Sequence, residues 1–201
     1  MCQMSLTGSF SGGEKKYELV PDRQIIVAGT TLYRIRALKD FGNVKAGTLG
    51  GFVGSERNLS HEGTCWIADE AQAYDEAVIS DDAQLYGRGR VYDHGRVSDK
   101  GQVLGNAQVF EYGWVFKNGV AFDDAKIFGA AQVRDNGLAY GDSEIFDDVR
   151  VVDRGQVCGH ARIGGRTVVD GHEKGSRRFH EVPPSSGGHG RRPRTPRGPR
   201  P

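Results

Sequence analysis

The chain has 201 residues and 30 glycines without a collagen period, which points to one domain built from many tight turns or from an internal repeat. It holds no apolar run of about 18 residues, and its N-terminus lacks a basic start followed by an apolar stretch, so we expect neither a transmembrane helix nor a signal peptide. The formal net charge of +1 hides an asymmetry. Residues 166–201 carry nine basic and three acidic side chains, a net charge of +6, and the remainder carries −5.

The three cysteines, Cys2, Cys65 and Cys158, are few, odd in number and far apart. This spacing argues against a disulfide framework and suits a reducing compartment. No cluster of His, Cys and Asp has the spacing that metal ligands need. We therefore expect a cytoplasmic protein that binds no metal and no membrane.

The N-terminal part of the chain predicts a small cap. Residues 1–16 are typical of a flexible N-terminus, and residues 17–64 predict a β cap followed by an irregular first coil. The motif YELV and the stretch 23–39 are typical of strands around a Gly-Thr turn. In the irregular coil we expect Leu49, Val53 and Leu59 to point inward.

Residues 65–166 divide into seventeen consecutive hexads without an insertion, from CWIADE to ARIGGR. Position 1 is a small residue in sixteen hexads, with Val149 as the exception, and position 3 is Ile, Leu or Val in fourteen and Ala in three. Apolar residues two apart, with a turn every six residues, indicate short strands, and three such strands close one coil. Asp, Asn and Gly at positions 5 and 6 suit corners that need turn or left-handed backbone angles.

This repeat resembles the motif of the hexapeptide-repeat family, which is small–x–aliphatic–small or acidic–x–x. The resemblance implies an all-β fold, a left-handed parallel β-helix with about 18 residues per coil; a right-handed solenoid is the structural alternative. The segment LYRIRALKDFGNVKAGTLGGFV is also similar to the N-terminal region of uncharacterised hexapeptide-repeat proteins of phages and prophages, some of which carry an acetyltransferase label. That similarity implies a phage or prophage origin.

Residues 167–201 follow the last hexad and are rich in Gly, Pro and Arg, a composition typical of a disordered basic tail. Its arginines would give weak, non-specific attraction to nucleic acid, without interleaved aromatic residues for base stacking. A solvated tail without a ligand is the alternative.

Position 4 of the hexad faces outward, and here it is often aromatic where the family has small or polar residues. Because residues eighteen apart stack, these aromatic residues form a ladder on one face and a second apolar set on another. Beside the second set, Ala121 and Ala139 stack at the inward position 3, so small residues lie inside and large ones outside. The ladder is Tyr74, Tyr92, Phe110, Phe128 and Phe146, and the second set is Tyr86, Val120, Phe122, Leu138 and Tyr140.

A contiguous outward apolar surface usually marks a contact surface. We therefore predict a non-catalytic scaffold that binds itself, as a dimer or a trimer, or another protein. There are three alternatives for the aromatic residues: stacking that only stabilises the coils, an N-terminal segment folded over them, and a small-molecule stacking site. The acid-rich corners are typical of solvated turns; mimicry of a nucleic-acid backbone, which would inhibit a host factor, is the alternative.

The resemblance implies a second function, because many hexapeptide-repeat proteins transfer acyl groups from CoA or acyl carrier protein. They use a His general base at the groove between neighbouring subunits. The candidates here are His94 and His160 at the corner position 6, which are otherwise ordinary surface turn residues. An acyl-CoA would be the cofactor only in that case, and we otherwise expect none. The lack of a loop between hexads weakens the acyltransferase hypothesis.

Overall fold

The structure, a computed structural model, describes residues 14–171. This part of the chain consists of β-strands, turns and one 3₁₀ turn, Glu56–Asn58, and it contains no helix long and apolar enough to cross a membrane. The strands are β1 Tyr17–Val27, β2 Thr30–Ala37, β3 Leu49–Val53, β4 Trp66–Ile67, β5 Gln72–Ala73, β6 Val78–Ile79, β7 Gln84–Leu85, β8 Arg90–Val91, β9 Arg96–Val97, β10 Gln102–Val103, β11 Gln108–Val109, β12 Trp114–Val115, β13 Val120–Ala121, β14 Lys126–Ile127, β15 Gln132–Val133, β16 Leu138–Ala139, β17 Glu144–Ile145, β18 Arg150–Val152, β19 Gln156–Val157, β20 Arg162–Ile163 and β21 Val168–Asp170.

The short strands stack into three parallel sheets, and this confirms the predicted β-solenoid. Each strand pairs with the strand three further along the chain, so Val103 lies beside Ala121 and Ala121 beside Ala139. One turn of the chain therefore takes eighteen residues. Sheet I runs β1-β2-β3-β5-β8-β11-β14-β17-β20, sheet II runs β4-β7-β10-β13-β16-β19, and sheet III runs β6-β9-β12-β15-β18-β21. The left-handed sense of the coil stays a prediction from the repeat.

The core is a column of small and aliphatic side chains inside these three sheets. Positions 1 and 3 are buried in all seventeen hexads, as the repeat predicts. Each coil covers the apolar side chains of its neighbours, for example where Ile127 lies between Val109 and Ile145 in sheet I. Stability in such an array comes from each repeat and its contact with the next one.

The corners depend on left-handed backbone angles. Position 5 has a positive φ in every hexad, and it is Asp or Gly in all but two of them, Glu111 and Lys117. Gly adopts this conformation without a steric penalty, and Asp tolerates it better than most residues. The predicted role of position 5 is therefore confirmed.

A test of the corner geometry uses Arg154, which lies at position 6 with φ of 68°. We expect Arg154→Gly to raise the free energy of unfolding by about 0.5 kcal/mol, because relief of the left-handed strain outweighs the greater freedom of glycine in the unfolded chain. Arg150→Gly in strand β18 is the matched control, and it should lower the stability by about 0.5 to 1 kcal/mol. Urea denaturation of both variants measures the two changes; a loss of stability in Arg154→Gly would contradict the account.

Many corner acids have a structural role. The carboxylate at position 5 accepts a hydrogen bond from the backbone N–H at position 5 of the next coil in six places, at 2.8 to 3.3 Å. Asp147, for example, accepts from the amide of Gly165 at 2.8 Å. These bonds join successive coils outside the sheets. They give these position-5 acids a structural role, and mimicry of a nucleic acid stays an alternative that no contact tests.

The N-terminal cap closes the first coil of the solenoid. Strands β1 and β2 form an antiparallel hairpin, and Tyr17 at its base is fully buried. Lys16, 1% exposed, donates to the carbonyl of Cys65 at 3.0 Å and lies 3.2 Å from the Cys65 thiol. The Lys16 ammonium group thus binds the corner at Cys65, where the first regular hexad begins.

Three predictions at the ends of the solenoid need correction. Val53 and Leu59 are fully buried as predicted, but Leu49 is 39% exposed. The inward position belongs to Gly50, where a Cβ atom would lie only 2.5 Å from the carbonyl of Ile67, so the neighbouring Leu49 turns outward.

The other two corrections concern the predicted flexible ends. Lys16 is buried, although residues 1–16 were expected to be flexible. The stretch TVVD after Arg166 continues the hexad as strand β21, with Val169 2% exposed, although the tail was expected to start at residue 167. The predictions for Cys2 and for the tail from residue 172 lie outside the described residues.

Candidate functional site

The aromatic ladder of sheet I is a continuous stack. Its five rings lie parallel at centroid distances of 4.9 to 5.3 Å, from Tyr74 through Tyr92, Phe110 and Phe128 to Phe146. Such offset stacking contributes about 0.5 to 1.5 kcal/mol per pair beyond area burial. Because each ring is half covered by its neighbours, the ladder mainly joins successive coils.

The first ladder residue is not a surface residue. Tyr74 is only 6% exposed, because Leu32 and Phe52 pack against it and Ile25 and Val27 of the hairpin add to the cover. Tyr92 is packed against the same cluster. Burial raises the pKa of both phenols. The hairpin thus covers one end of the ladder, and Tyr74 is unavailable as the binding residue that its position predicts.

Sheet II carries an outward apolar patch, which we define as Leu104, Val120, Phe122, Leu138 and Tyr140. Val120 and Leu138 are direct neighbours in register, and the rings of Phe122 and Tyr140 stack at 4.8 Å. All five side chains are half-buried, and Ala121 and Ala139 lie fully buried beneath them. The structure therefore places the predicted members of this set together. Tyr86, 39% exposed, lies in the same column two coils before Phe122.

Opposite charges flank the patch at the level of Val120 and Phe122. The corner before strand β13 carries Lys117, whose ammonium lies 3.0 Å from Asp135 and remains half exposed. The hydrogen bond from Lys117 lowers the pKa of the Asp135 carboxyl. The corner after the strand carries two exposed carboxylates, Asp123 and Asp124. At this level one edge of the patch thus carries the ion pair of Lys117 and Asp135, and the other edge carries two carboxylates.

The two candidate histidines have different surroundings. His94 stacks on the exposed ring of Tyr112, with centroids 5.0 Å apart, and has no carboxylate within ion-pair distance among residues 14–171. The Nδ1 atom of His160 lies 3.0 Å from Oδ2 of Asp142. A carboxylate at Nδ1 orients the imidazole and leaves Nε2 for a proton transfer. Of the two, only His160 therefore has the partner that a general base needs.

Asp142 is a residue that the sequence analysis missed. It occupies position 6 of its hexad and precedes His160 by eighteen residues, so the two side chains stack on one corner column. The spacing of eighteen residues, which equals one coil, is the feature of the sequence that predicts this contact. His94 lies on a different corner, and the two histidines do not share a site.

Both cysteines of residues 14–171 are buried. Cys158, predicted to face outward, is 3% exposed. Cys65 is fully buried, and its burial raises the pKa of the thiol. A buried thiol that keeps its proton is a poor nucleophile. Among the described residues, no group of three or more His, Cys, Asp or Glu side chains could hold a metal ion.

Comparison with known proteins gives a partial similarity. No family model matches the chain. The chain is 46% identical over 57 residues to a protein named "Uncharacterized acetyltransferase YdcK" of Escherichia coli (strain K12). The match covers 28% of this chain and only 18% of the length of that relative. The uninterrupted six-residue repeat, the coils of eighteen residues and this relative together fit a hexapeptide-repeat family.

Proposed function

We propose that the chain is a β-solenoid scaffold that associates with further copies of itself through the apolar patch of sheet II. The contiguous patch itself is the observation that supports this proposal. Five apolar side chains lie side by side on an outer face where a solvated sheet carries polar residues, and such a surface marks a contact. The stacked pair of Phe122 and Tyr140 is already ordered, so little side-chain entropy is lost on binding.

The charges beside the patch favour a second copy as the partner. Rotation about an axis parallel to the solenoid keeps each coil at its own height. The half-exposed ammonium of Lys117 in one copy, which its own chain pairs with Asp135, then faces the carboxylates of Asp123 and Asp124 in the next copy. This complementarity adds orientation to the apolar contact, and it would fall with added salt.

The double variant Phe122→Ser with Tyr140→Ser tests the proposal. We expect it to lower the molar mass measured by light scattering to that of a single chain, because two serines replace the centre of the contact. Phe128→Ser with Phe146→Ser is the matched control. It removes a stacked pair of the same kind from sheet I and should leave the assembly unchanged. Assembly that survives the first variant, or is lost equally in both, would contradict the proposal.

A second candidate function is acyl transfer, which the pair of His160 and Asp142 favours. The relative named an acetyltransferase supports it, with the limit that the match covers under a fifth of that protein. His160 lies at the corner after strand β19, at the edge of sheet II, so association through the patch would bring this corner close to another copy. In that function an acyl-CoA is the donor, and His160 accepts the proton of the attacking hydroxyl or amine and returns it to the CoA thiolate that leaves as the thioester bond breaks.

Calorimetry with acetyl-CoA and a hydrolysis assay test this second function. We expect His160→Ala to retain binding and to lower turnover by about 100-fold or more, and His94→Ala to retain both. An Asp142→Asn variant should lower turnover as well, because the imidazole loses its orienting carboxylate. Failure of the wild-type chain to bind acetyl-CoA would remove this candidate and leave the scaffold proposal intact.

A further inference from the structure

A cleft of about 450 Å³ lies where the cap meets sheet II. The loop around Asn43 forms one wall, and the outer side of strands β7 and β10 forms the other. Trp66, 3% exposed and packed edge-on against Phe41, forms the floor. The size is within the range of small-molecule sites. The cleft does not include the patch or the histidine corners.

None of the side chains that line the cleft is charged, in a chain whose residues are 26% charged. The polar lining consists of amides and hydroxyl groups, and the apolar lining includes two aromatic rings. The carboxylate of Asp82 accepts a hydrogen bond from the Thr64 hydroxyl at 2.7 Å beside the cleft, and no Lys or Arg side chain lines the cleft to attract an anion. The cleft instead offers closely spaced hydrogen-bond donors and acceptors.

One wall of the cleft is fixed by hydrogen bonds. The side-chain amide of Gln84 donates to the carbonyl of Thr64 at 2.9 Å, and the hydroxyl of Tyr86 donates to the Gln84 oxygen at 3.2 Å. These bonds hold the Tyr86 ring at the mouth of the cleft, where it stays 39% exposed. Its ring face is thus available to an apolar surface of a ligand.

Three further polar side chains of the cleft are able to form hydrogen bonds with a ligand. The side chains of Asn43, Thr48 and Gln102 are exposed and make no hydrogen bond with other residues of the described part of the chain. Two amides and one hydroxyl together supply both donors and acceptors. They surround a volume whose floor and mouth are aromatic.

We propose that this cleft binds a neutral, hydroxyl-rich ligand of about the size of a monosaccharide. Amides and hydroxyls bind sugar hydroxyl groups in both directions, and an aromatic ring packs against the C–H face of a sugar. The absence of charged side chains disfavours phosphorylated and carboxylated ligands. The proposal does not depend on self-association or on acyl transfer.

Saturation-transfer NMR of the full chain tests this site with glucose, N-acetylglucosamine and, as the charged comparison, glucuronate. We expect transfer to one or both neutral sugars and little transfer to glucuronate. Tyr86→Ala should weaken the binding by about tenfold through loss of the ring contact, and Gln102→Ala should weaken it as well. Gln102 is exposed, so this second variant serves even where Tyr86→Ala does not fold.

Tyr112→Ala is the matched control, because Tyr112 is an exposed tyrosine on a different corner, and it should bind as the wild type does. The absence of transfer to both neutral sugars would overturn the proposal. Equal binding by the wild type and the Tyr86→Ala and Gln102→Ala variants would also overturn it, and so would binding of glucuronate as strong as that of the neutral sugars.

Discussion

Replacement of Tyr17 by alanine should lower the free energy of unfolding by about 3 to 5 kcal/mol, the usual cost of removing a fully buried aromatic ring. Tyr17 is 0% exposed and stacks on the ring of His61 at a centroid distance of 4.4 Å. Its hydroxyl donates to the carbonyl of Leu59 at 2.8 Å. Burial raises the pKa of this hydroxyl, so it keeps its proton. The side chain therefore joins strand β1 to the irregular first coil.

The variant Tyr17→Phe separates the ring from the hydroxyl. We expect a loss of about 1 to 2 kcal/mol, because the carbonyl of Leu59 then lacks its donor in a buried setting. Guanidinium denaturation gives both values. Proteolysis would locate the opening, which should start in the cap and the first coil and not at strand β20. A Tyr17→Ala chain as stable as the wild type would contradict the role of the cap.

Replacement of Ile127 by alanine should lower the free energy of unfolding by about 3 kcal/mol. Ile127 lies in a middle coil, is 0% exposed, and contacts the coils on both sides through Val109 and Ile145. Its removal leaves a cavity that neighbouring coils cannot fill without breaking their own register.

Ile163→Ala is the control for this variant, because Ile163 lies in the last strand of sheet I and pairs only with Ile145 among the described residues. It is also 5% exposed. We expect a smaller loss, of about 1 to 2 kcal/mol, since one neighbouring coil is affected in place of two. Equal losses in the two variants, measured by urea denaturation, would contradict a stability that depends on neighbouring coils.

The interior of the solenoid could be predicted from the sequence because its period is local and strict. A small residue at position 1, an aliphatic residue at position 3 and Asp or Gly at position 5 each follow from the shape of one coil. The same residue types recur every six residues, with a turn in each hexad and no insertion. The stacking of Ala121 on Ala139 followed from the same count.

The cap and the surface could not be predicted in the same way, because they depend on contacts between distant parts of the chain. The sequence left a cover of the aromatic residues by the N-terminal segment as one of three alternatives, and the hairpin provides it only at Tyr74 and Tyr92. Nothing in the sequence indicates that Gly50 takes the inward place expected of Leu49. The pair of Asp142 and His160 follows from the period of the coil, because side chains eighteen residues apart stack on one corner.

The proposed function rests on departures from the repeat, not on the repeat itself. The inward residues, small at position 1 and aliphatic at position 3, specify the fold. The outward residues of the three sheets can therefore differ in type. Sheet I uses that freedom for a ladder that stabilises the coils, and sheet II presents its apolar side chains to solvent. Sheets I and II thus differ in their outer residues although their inward residues share one pattern.

The mass of the wild-type chain in solution tests the central claim most directly. Sedimentation velocity over a range of concentrations should show particles of more than one chain, which dissociate on dilution and at high salt as the charges beside the patch are screened. A single chain of 21.9 kDa at every concentration would contradict the proposed self-association through sheet II.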